Sequence, residues 1–418
     1  MKKMKKLKMF ALLICLMSKV VAQEHTRKVL FIGNSYTAVN NLPQLIKDIA
    51  LPLGDTLVFD QSLFGGYFFQ DHCNNAVTWS KIKSQQWDAV VLQAQSQEPS
   101  WDLWQVMQDT YPYAQQLADS VKSHNVCTEV IFYMTWGRQN GDAFNCASIP
   151  AVCTYTGMQA RLRESYMLFK NDFKTAVAPV GVAWKKVRQD FPGINLYDPD
   201  QSHPSVAGSY LAACVFYSNI FKKTSVGSTH LAGLTNSVVN SLQSYGSNTV
   251  LDSLDVWGVG SNKPKVDFTF TPTGSNTYQF TNQTLYANSY NWSFGSTLQN
   301  PIYTFTNTGT FSVTLAATNS CTTISKTKQV VIAGVNEQSN KLNFKSFYAN
   351  DYLYLYNLPK SDALNLKLIS VDGKESFNYT INSSKDDYAV YLGNIPKGIY
   401  LIRLSANQYY GVNKLIIN

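Results

Sequence analysis

The sequence predicts an α/β domain organised around a parallel sheet, followed by two small β-sandwich domains, and three observations carry that prediction. From Lys28 to about Trp257, apolar runs ("KVLFIG", "WDAVVLQ", "EVIFYMTW", "AVAPVGVAW") alternate with longer helix-compatible stretches, as strands do in a parallel sheet covered by helices. From about Pro264 to Ala333 the texture turns Thr-, Asn- and aromatic-rich, with alternating runs such as "KVDFTFT" and "TFSVTLAAT" that suit antiparallel strands. The remainder holds further short strands separated by turn residues. A chain of 418 residues also exceeds a single core at ~100–200 residues per domain.

The first 22 residues join Lys2, Lys3, Lys5, Lys6 and Lys8 to the apolar run Met9–Met17 and close on the small-residue site Val20-Val21-Ala22, the pattern of a cleaved signal peptide. The run is shorter than the ~20 apolar residues of a spanning helix. Nothing later is long and apolar enough, so no transmembrane segment is expected in the mature chain. Cys15 lies inside the apolar run behind Ile14, which is not small, and this argues against a lipid-attachment site. Of the net charge of +8, six units belong to the five lysines above and Lys19, leaving +2 for the mature chain and no pull toward an anionic partner. Lys and Arg are nowhere interleaved with aromatics along a stretch that could follow a phosphate backbone, so nucleic-acid binding has no support and none is expected.

Six cysteines follow the signal segment, an even number in an exported chain. Cys146 and Cys153, seven apart around Ser148 and Pro150, are expected to staple a local loop, whereas the others suit disulfides or small buried positions equally. No CxxC pair or Cys/His cluster has zinc spacing, so no metal is expected.

Within the α/β domain, residues 23–257, the run "KVLFIG" makes the first strand. Asn34 and Ser35 then fall at its carboxyl end, where open α/β sheets collect ligands. A serine nucleophile needs a histidine base and a group that orients the imidazole. Of five histidines, His203 stands out: "DPDQSHPS" sets Asp200 three residues before it and Pro204 after it, at the expected first position of a helix. Asp200 can accept from one ring nitrogen while the other faces Ser35. Each residue also has an ordinary use, Ser35 as a helix cap, Asp200 in an Asx-turn and His203 beside a helix start. By position, His72 near Gly65-Gly66, and Trp136, Arg138 and Asn140 in "MTWGRQNGD", are candidates to line a substrate pocket or bind a sugar. A surface histidine, a packed tryptophan and a solvated arginine are the alternatives.

"GNSYT" near the mature start and "DQSHPS" near the domain's end resemble the first and last blocks of the SGNH (GDSL-type) hydrolases, with Gly33-Asn34-Ser35 in place of Gly-Asp-Ser. The resemblance covers about 225 residues and implies a flavodoxin-like three-layer hydrolase domain that works without a cofactor. It implies Ser35 as nucleophile, His203 as base and Asp200 as the residue orienting it. For the oxyanion hole it implies the amide of Ser35, a glycine amide at Gly66 or Gly65 of "LFGGYFFQDH", and a side-chain amide. The last falls at Gln95 or Gln93 of "WDAVVLQAQSQEP", a departure from the family's Gly-x-Asn-Asp.

The polar segment 258–263 reads as a linker. Residues 264–334 contain "YNWSFGSTLQNPIYTFTNTGTFSVTLAATN", which resembles the PKD pattern at Trp292, Phe294, Gly295, Pro301, Tyr303, Gly309 and Val313. That resemblance implies an Ig-like sandwich spacer, with Trp292 expected in its core. In residues 335–418, "ISVDGK", "LGNIPKGIYLIRL" and "KLIIN" resemble the carboxyl-terminal sorting domain of type IX secretion. By residues alone this segment reads only as a β-sandwich with turns at Gly373 and Gly398. The resemblance implies the type IX machinery as a partner and a secreted or cell-surface location. The expected activity is that of a secreted serine esterase acting on acetylated carbohydrate. The alternatives are a lipase-like or small-ester esterase and a catalytically weak surface carbohydrate-binding or adhesin protein.

Overall fold

The computed structural model describes residues 26–332, 340–358, 361–383, 386–406 and 409–417, so the signal segment 1–22 lies outside the described residues. Five parallel strands, β1 (Thr26–Gly33), β2 (Thr56–Leu63), β3 (Ala89–Leu92), β4 (Glu129–Tyr133) and β5 (Ala176–Ala178), form one sheet in the order β2-β1-β3-β4-β5. This is the flavodoxin-like order, which reverses between β1 and β3 and opens a crevice at the carboxyl ends of those strands. Val29–Ile32 of β1 and all of β3 and β4 are buried, because helices cover both faces of the sheet. The helix Val206–Phe221 is buried everywhere except Val206, and its nearly continuous apolar sequence follows from that position.

The described residues divide into two compact units. The first holds the described residues up to Thr304 and Ser312–Val330; the second holds Phe305–Phe311 and the described residues from Val331 onward. Beyond the α/β body, two three-stranded sheets, β6-β7-β9 and β11-β10-β8, are built from β6 (Phe268–Pro272), β7 (Thr277–Asn282), β8 (Ser289–Trp292), β9 (Ile302–Thr304), β10 (Gly309–Thr318) and β11 (Thr323–Ile332), and all but the start of β10 and the end of β11 belong to the first unit. Trp292 is buried there against Phe268 and Phe280, at ring distances of 5.1 and 5.3 Å. In the second unit a five-stranded and a three-stranded sheet share an apolar core that includes Leu353, Leu355, Leu366, Leu368, Ile402 and Leu404.

Segment 258–263, expected as a linker, is packed instead. Val259 belongs to the α/β core, the amide of Gly260 donates to Glu129 Oε1 at 2.5 Å, and Asn262 Nδ2 donates to the carbonyl of Cys127 at 2.6 Å. Polar composition suggested a tether, but these side chains and amides are spent on the body. A cut at Trp257 therefore removes part of the α/β structure. The disulfide Cys127–Cys321 joins the turn before β4 to the turn between β10 and β11, and Cys146–Cys153 closes the expected local loop.

The two disulfides differ in the loops they close, 194 residues against 7. The chain-entropy account assigns them about 5 and about 2 kcal/mol respectively. Cys127→Ser/Cys321→Ser should therefore lower the denaturant midpoint more than Cys146→Ser/Cys153→Ser. Equal or reversed effects would contradict the long-range clasp.

Candidate active site

The site begins where β1 meets β3. At Gly33 a Cβ would fall 2.6 Å from Gln93 Oε1 and 2.9 Å from Gln93 Cβ, so only glycine lets the Gln93 side chain pass beneath the end of β1. The amide of Asn34 donates to Gln93 Oε1 at 2.9 Å and Gln93 Nε2 donates back to Asn34 Oδ1 at 2.8 Å. Asn34 Oδ1 also caps the following turn by accepting from Tyr36 N at 3.1 Å, while Asn34 Nδ2 donates to the carbonyl of Tyr67 at 3.0 Å. An aspartate could not make that last bond, which gives asparagine a physical reason to stand before Ser35.

His203 arrives on a tight loop. Asp200 Oδ1 accepts from the amides of Ser202 and His203 at 3.0 and 2.9 Å, and Gln201 sits at φ +62°. Pro204 is not the first helical residue: Ser205 caps the helix Val206–Phe221, accepting from Gly208 N at 3.2 Å, and Pro204 precedes the cap. His203 Nδ1 lies 2.5 Å from Asp200 Oδ2 and Nε2 lies 2.8 Å from Ser35 Oγ. With Nδ1 donating to the carboxylate, Nε2 is left to accept from the serine hydroxyl. Partial burial pushes the Asp200 carboxyl up, but the bonds from the His203 ring and from the Ser202 and His203 amides outweigh it and hold it below the usual carboxylate value.

Four expected residues need correction or refinement. Trp136 does not meet substrate: it is fully buried, stacked between Tyr36 at 4.8 Å and Trp184 at 3.9 Å, with Nε1 donating to the carbonyl of Ser202 at 3.0 Å. His72 is buried under the end of β1, its Nε2 3.1 Å from the carbonyl of Gly33 and its Nδ1 3.0 Å from Thr78 Oγ1, and burial lowers its pKa to about 4. It props the strand and is shut away from solvent. Gln93 cannot serve as an oxyanion donor, because both protons of its amide are spent on Asn34 Oδ1 and the carbonyl of Ala94. Gln95 differs: its Oε1 accepts from the amides of Gln97 and Glu98 at 2.6 and 3.1 Å, and its Nε2 donates one proton to Gln97 Oε1 at 3.3 Å.

Gly66 is at φ +73° in the turn closed by Tyr67 N to the carbonyl of Phe64, a geometry that calls for glycine; Gly65 has no such constraint. Arg138 is half-buried and pairs with Asp142 at 3.5 Å. Asn140 is exposed and donates to Gln201 Oε1 at 2.8 Å, which laces its loop to the His203 loop. Tyr36, Ser96, Gln97, Asp142 and Ser202 join the site without a signal in the sequence. Asp142 is the buried acceptor for Gln97 Nε2 at 3.0 and 2.9 Å and for Asn145 Nδ2 at 2.6 Å, so it ties the β3 loop to the disulfide loop. No spacing in the chain signals that pairing.

The family described as "Secretion system C-terminal sorting domain" matches residues 349–418. This supports a type IX sorting tail and implies export to the cell surface or beyond. No curated protein matches the sequence. Among solved structures, the chain is similar to a DUF4886 family protein from Bacteroides uniformis, with 17% identity over 54% of this chain and 95% of that one and a TM-score of 0.48. It is also similar to a proposed SGNH hydrolase from Slackia heliotrinireducens, with 24% identity over 46% and 97% of the two chains and a TM-score of 0.38. An acetyl xylan esterase from Geobacillus stearothermophilus matches with 16% identity over 46% and 94% and a TM-score of 0.34. Among the described residues no helix is long and apolar enough to cross a membrane.

Beside Gln95, Glu98 is buried and its Oε2 has no hydrogen-bond partner among the described residues. Burial pushes its carboxyl up to about 8; nearby Thr110 opposes the rise, and Asp109 and Asp71 add to it. Because the folded value lies above the ordinary 4.5, the fold holds a proton that the unfolded chain has released between those two values. Stability should be greatest below the ordinary value and decline as pH rises toward the folded one. Denaturant midpoints measured across that range should fall for the wild type and stay flatter for Glu98→Gln; parallel profiles would contradict the assignment.

Proposed function

We propose that the α/β body is a serine ester hydrolase of SGNH type that removes acetyl groups from polysaccharide or oligosaccharide esters. The observation that carries this reading is the single imidazole held between Asp200 Oδ2 and Ser35 Oγ, at 2.5 and 2.8 Å. That arrangement supplies a nucleophile, a base and an orienting carboxylate at the crevice where the strand order reverses.

Ser35 Oγ attacks the ester carbonyl while His203 Nε2 takes its proton, and Asp200 stabilises the imidazolium that forms. The amides of Ser35 and Gly66 and the remaining Nε2 proton of Gln95 stabilise the oxyanion. His203 returns the proton to the leaving alcohol, and water repeats the cycle on the acyl-enzyme. No cofactor enters any step.

Acetylated carbohydrate is the substrate class supported by the sorting tail, which directs the chain to where extracellular polysaccharide is found, and by the polar groups of Asn140, Gln201 and Arg138 beside the triad. A longer-acyl ester is the second reading, favoured by the exposed apolar side chains of Trp104 and Phe144, 66% and 86% accessible. The preserved contact of His203 with Ser35 counts against an adhesin that has lost catalysis.

Ser35→Ala and His203→Ala should each lower kcat by about 10³-fold or more, and the double variant should lose little further, because the triad acts as a unit. Gln95→Ala should lose about 10²-fold, as removal of one oxyanion donor does. These values are read on p-nitrophenyl acetate, with acetylated xylo-oligosaccharides and p-nitrophenyl octanoate as the substrate panel. Faster turnover of octanoate than of both acetyl substrates would favour the second reading. A folded Ser35→Ala protein with full activity would refute both.

A further inference from the structure

The Tyr36 phenol sits where three loops of the site meet. Its hydroxyl lies 2.6 Å from Ser202 Oγ, on the residue just before His203, and Ser96, beside Gln95, also interacts with it. Its ring meets the His203 imidazole edge-on at 5.4 Å and 65°. On its face it stacks on Trp136 at 6° between planes, and Trp136 stacks on Trp184 at 4°. Both tryptophans are fully buried and Tyr36 nearly so, so this column has no room to shift.

The His203 loop needs such an index. Asp200 fixes the loop internally through its bonds to the Ser202 and His203 amides, but those bonds say nothing about its distance from Ser35. The His203 and Asp200 side chains are 33% and 48% exposed, so burial alone does not confine them. The ties to the nucleophile come from the residues just after Ser35. Tyr36 holds Ser202, and Asn40 Nδ2 donates to the carbonyl of Pro204 at 3.0 Å and to Ser209 Oγ at 3.0 Å. Both chain neighbours of His203 are therefore pinned to the segment that begins with Ser35. Asn40 reaches its partners from a left-handed backbone, φ +56°, a conformation an asparagine tolerates better than most residues.

We propose that Tyr36 is a positioning residue that sets the reach from His203 Nε2 to Ser35 Oγ, through its hydroxyl on Ser202 and its ring against the imidazole. The inference rests on the serine-hydrolase reading above. Tyr36 itself touches no reacting atom. A displacement of about 1 Å in such a contact costs up to about 10²-fold in rate, and loss of one of several ties costs less.

The test is a double-mutant cycle on p-nitrophenyl acetate hydrolysis by the full-length protein. Tyr36→Phe keeps the ring stack and deletes the hydroxyl; Ser202→Ala deletes the same bond from the other side and guards against a failure of Tyr36→Phe to fold. Each should lower kcat about 10-fold with KM changed less than about twofold, and the double variant should lie within about twofold of Tyr36→Phe, which already lacks the bond to Ser202 along with the contact to Ser96. A Tyr36→Phe enzyme within twofold of wild type, a loss confined to KM, or single effects that multiply to about 100-fold would overturn the positioning role. Ser35→Ala is measured alongside. If it is inactive while Tyr36→Phe is unaffected, only the positioning role falls; if it remains active, the hydrolase reading falls with it.

Discussion

Two reciprocal hydrogen bonds between Asn34 and Gln93 hold together the point on which the site depends. They join the carboxyl ends of β1 and β3, the two strands between which the sheet order reverses, and they require Gly33 because any larger residue would strike Gln93. With its amide occupied by Gln93 and its side chain by Tyr36 and Tyr67, Asn34 fixes the turn that starts at Ser35. Ser35 is therefore carried on the sheet itself. His72 supports the same junction from below through the carbonyl of Gly33, and burial keeps its ring neutral.

From that fixed turn the remaining parts are placed by progressively longer-range contacts. Asp200 and His203 form a local unit whose geometry follows from three residues of spacing and an Asx-turn, and the lowered pKa of Asp200 keeps its carboxylate charged beside the imidazole. The β3 loop with Gln95 is ordered by Gln97 and by buried Asp142, itself adjacent to the loop that Cys146–Cys153 closes. The β10–β11 turn is joined by Cys127–Cys321 to the opposite end of the sheet from Ser35.

What was legible in the sequence follows the range of the contacts involved. The strand–helix alternation and the ends "GNSYT" and "DQSHPS" could be read because a strand end, an Asx-turn and a helix start are local structures. The roles of Trp136, His72 and Gln93 could not, since Trp136 and Gln93 follow strand ends and His72 lies close behind the Gly65-Gly66 turn, just as binding residues would, and only tertiary packing distinguishes a side chain turned inward. Trp136 in "MTWGRQNGD" precedes a polar stretch, yet the Tyr36–Trp136–Trp184 stack takes it into the core. Segment 258–263 looked like a tether because its residues are polar, whereas their partners, Glu129 and Cys127, lie about half the α/β domain away in sequence. The Cys127–Cys321 pair spans 194 residues and carries no local signal at all.

The central claim is that Ser35 is activated by His203, and covalent trapping tests it most directly. The full-length protein is incubated with diethyl p-nitrophenyl phosphate, digested, and the adduct located by peptide mass. One phosphoryl adduct on Ser35, in the peptide that contains "FIGNSYT", with labelling slowed by orders of magnitude in His203→Ala, is the predicted result. Labelling at another serine, or equal labelling of Ser35 with and without His203, would contradict the account.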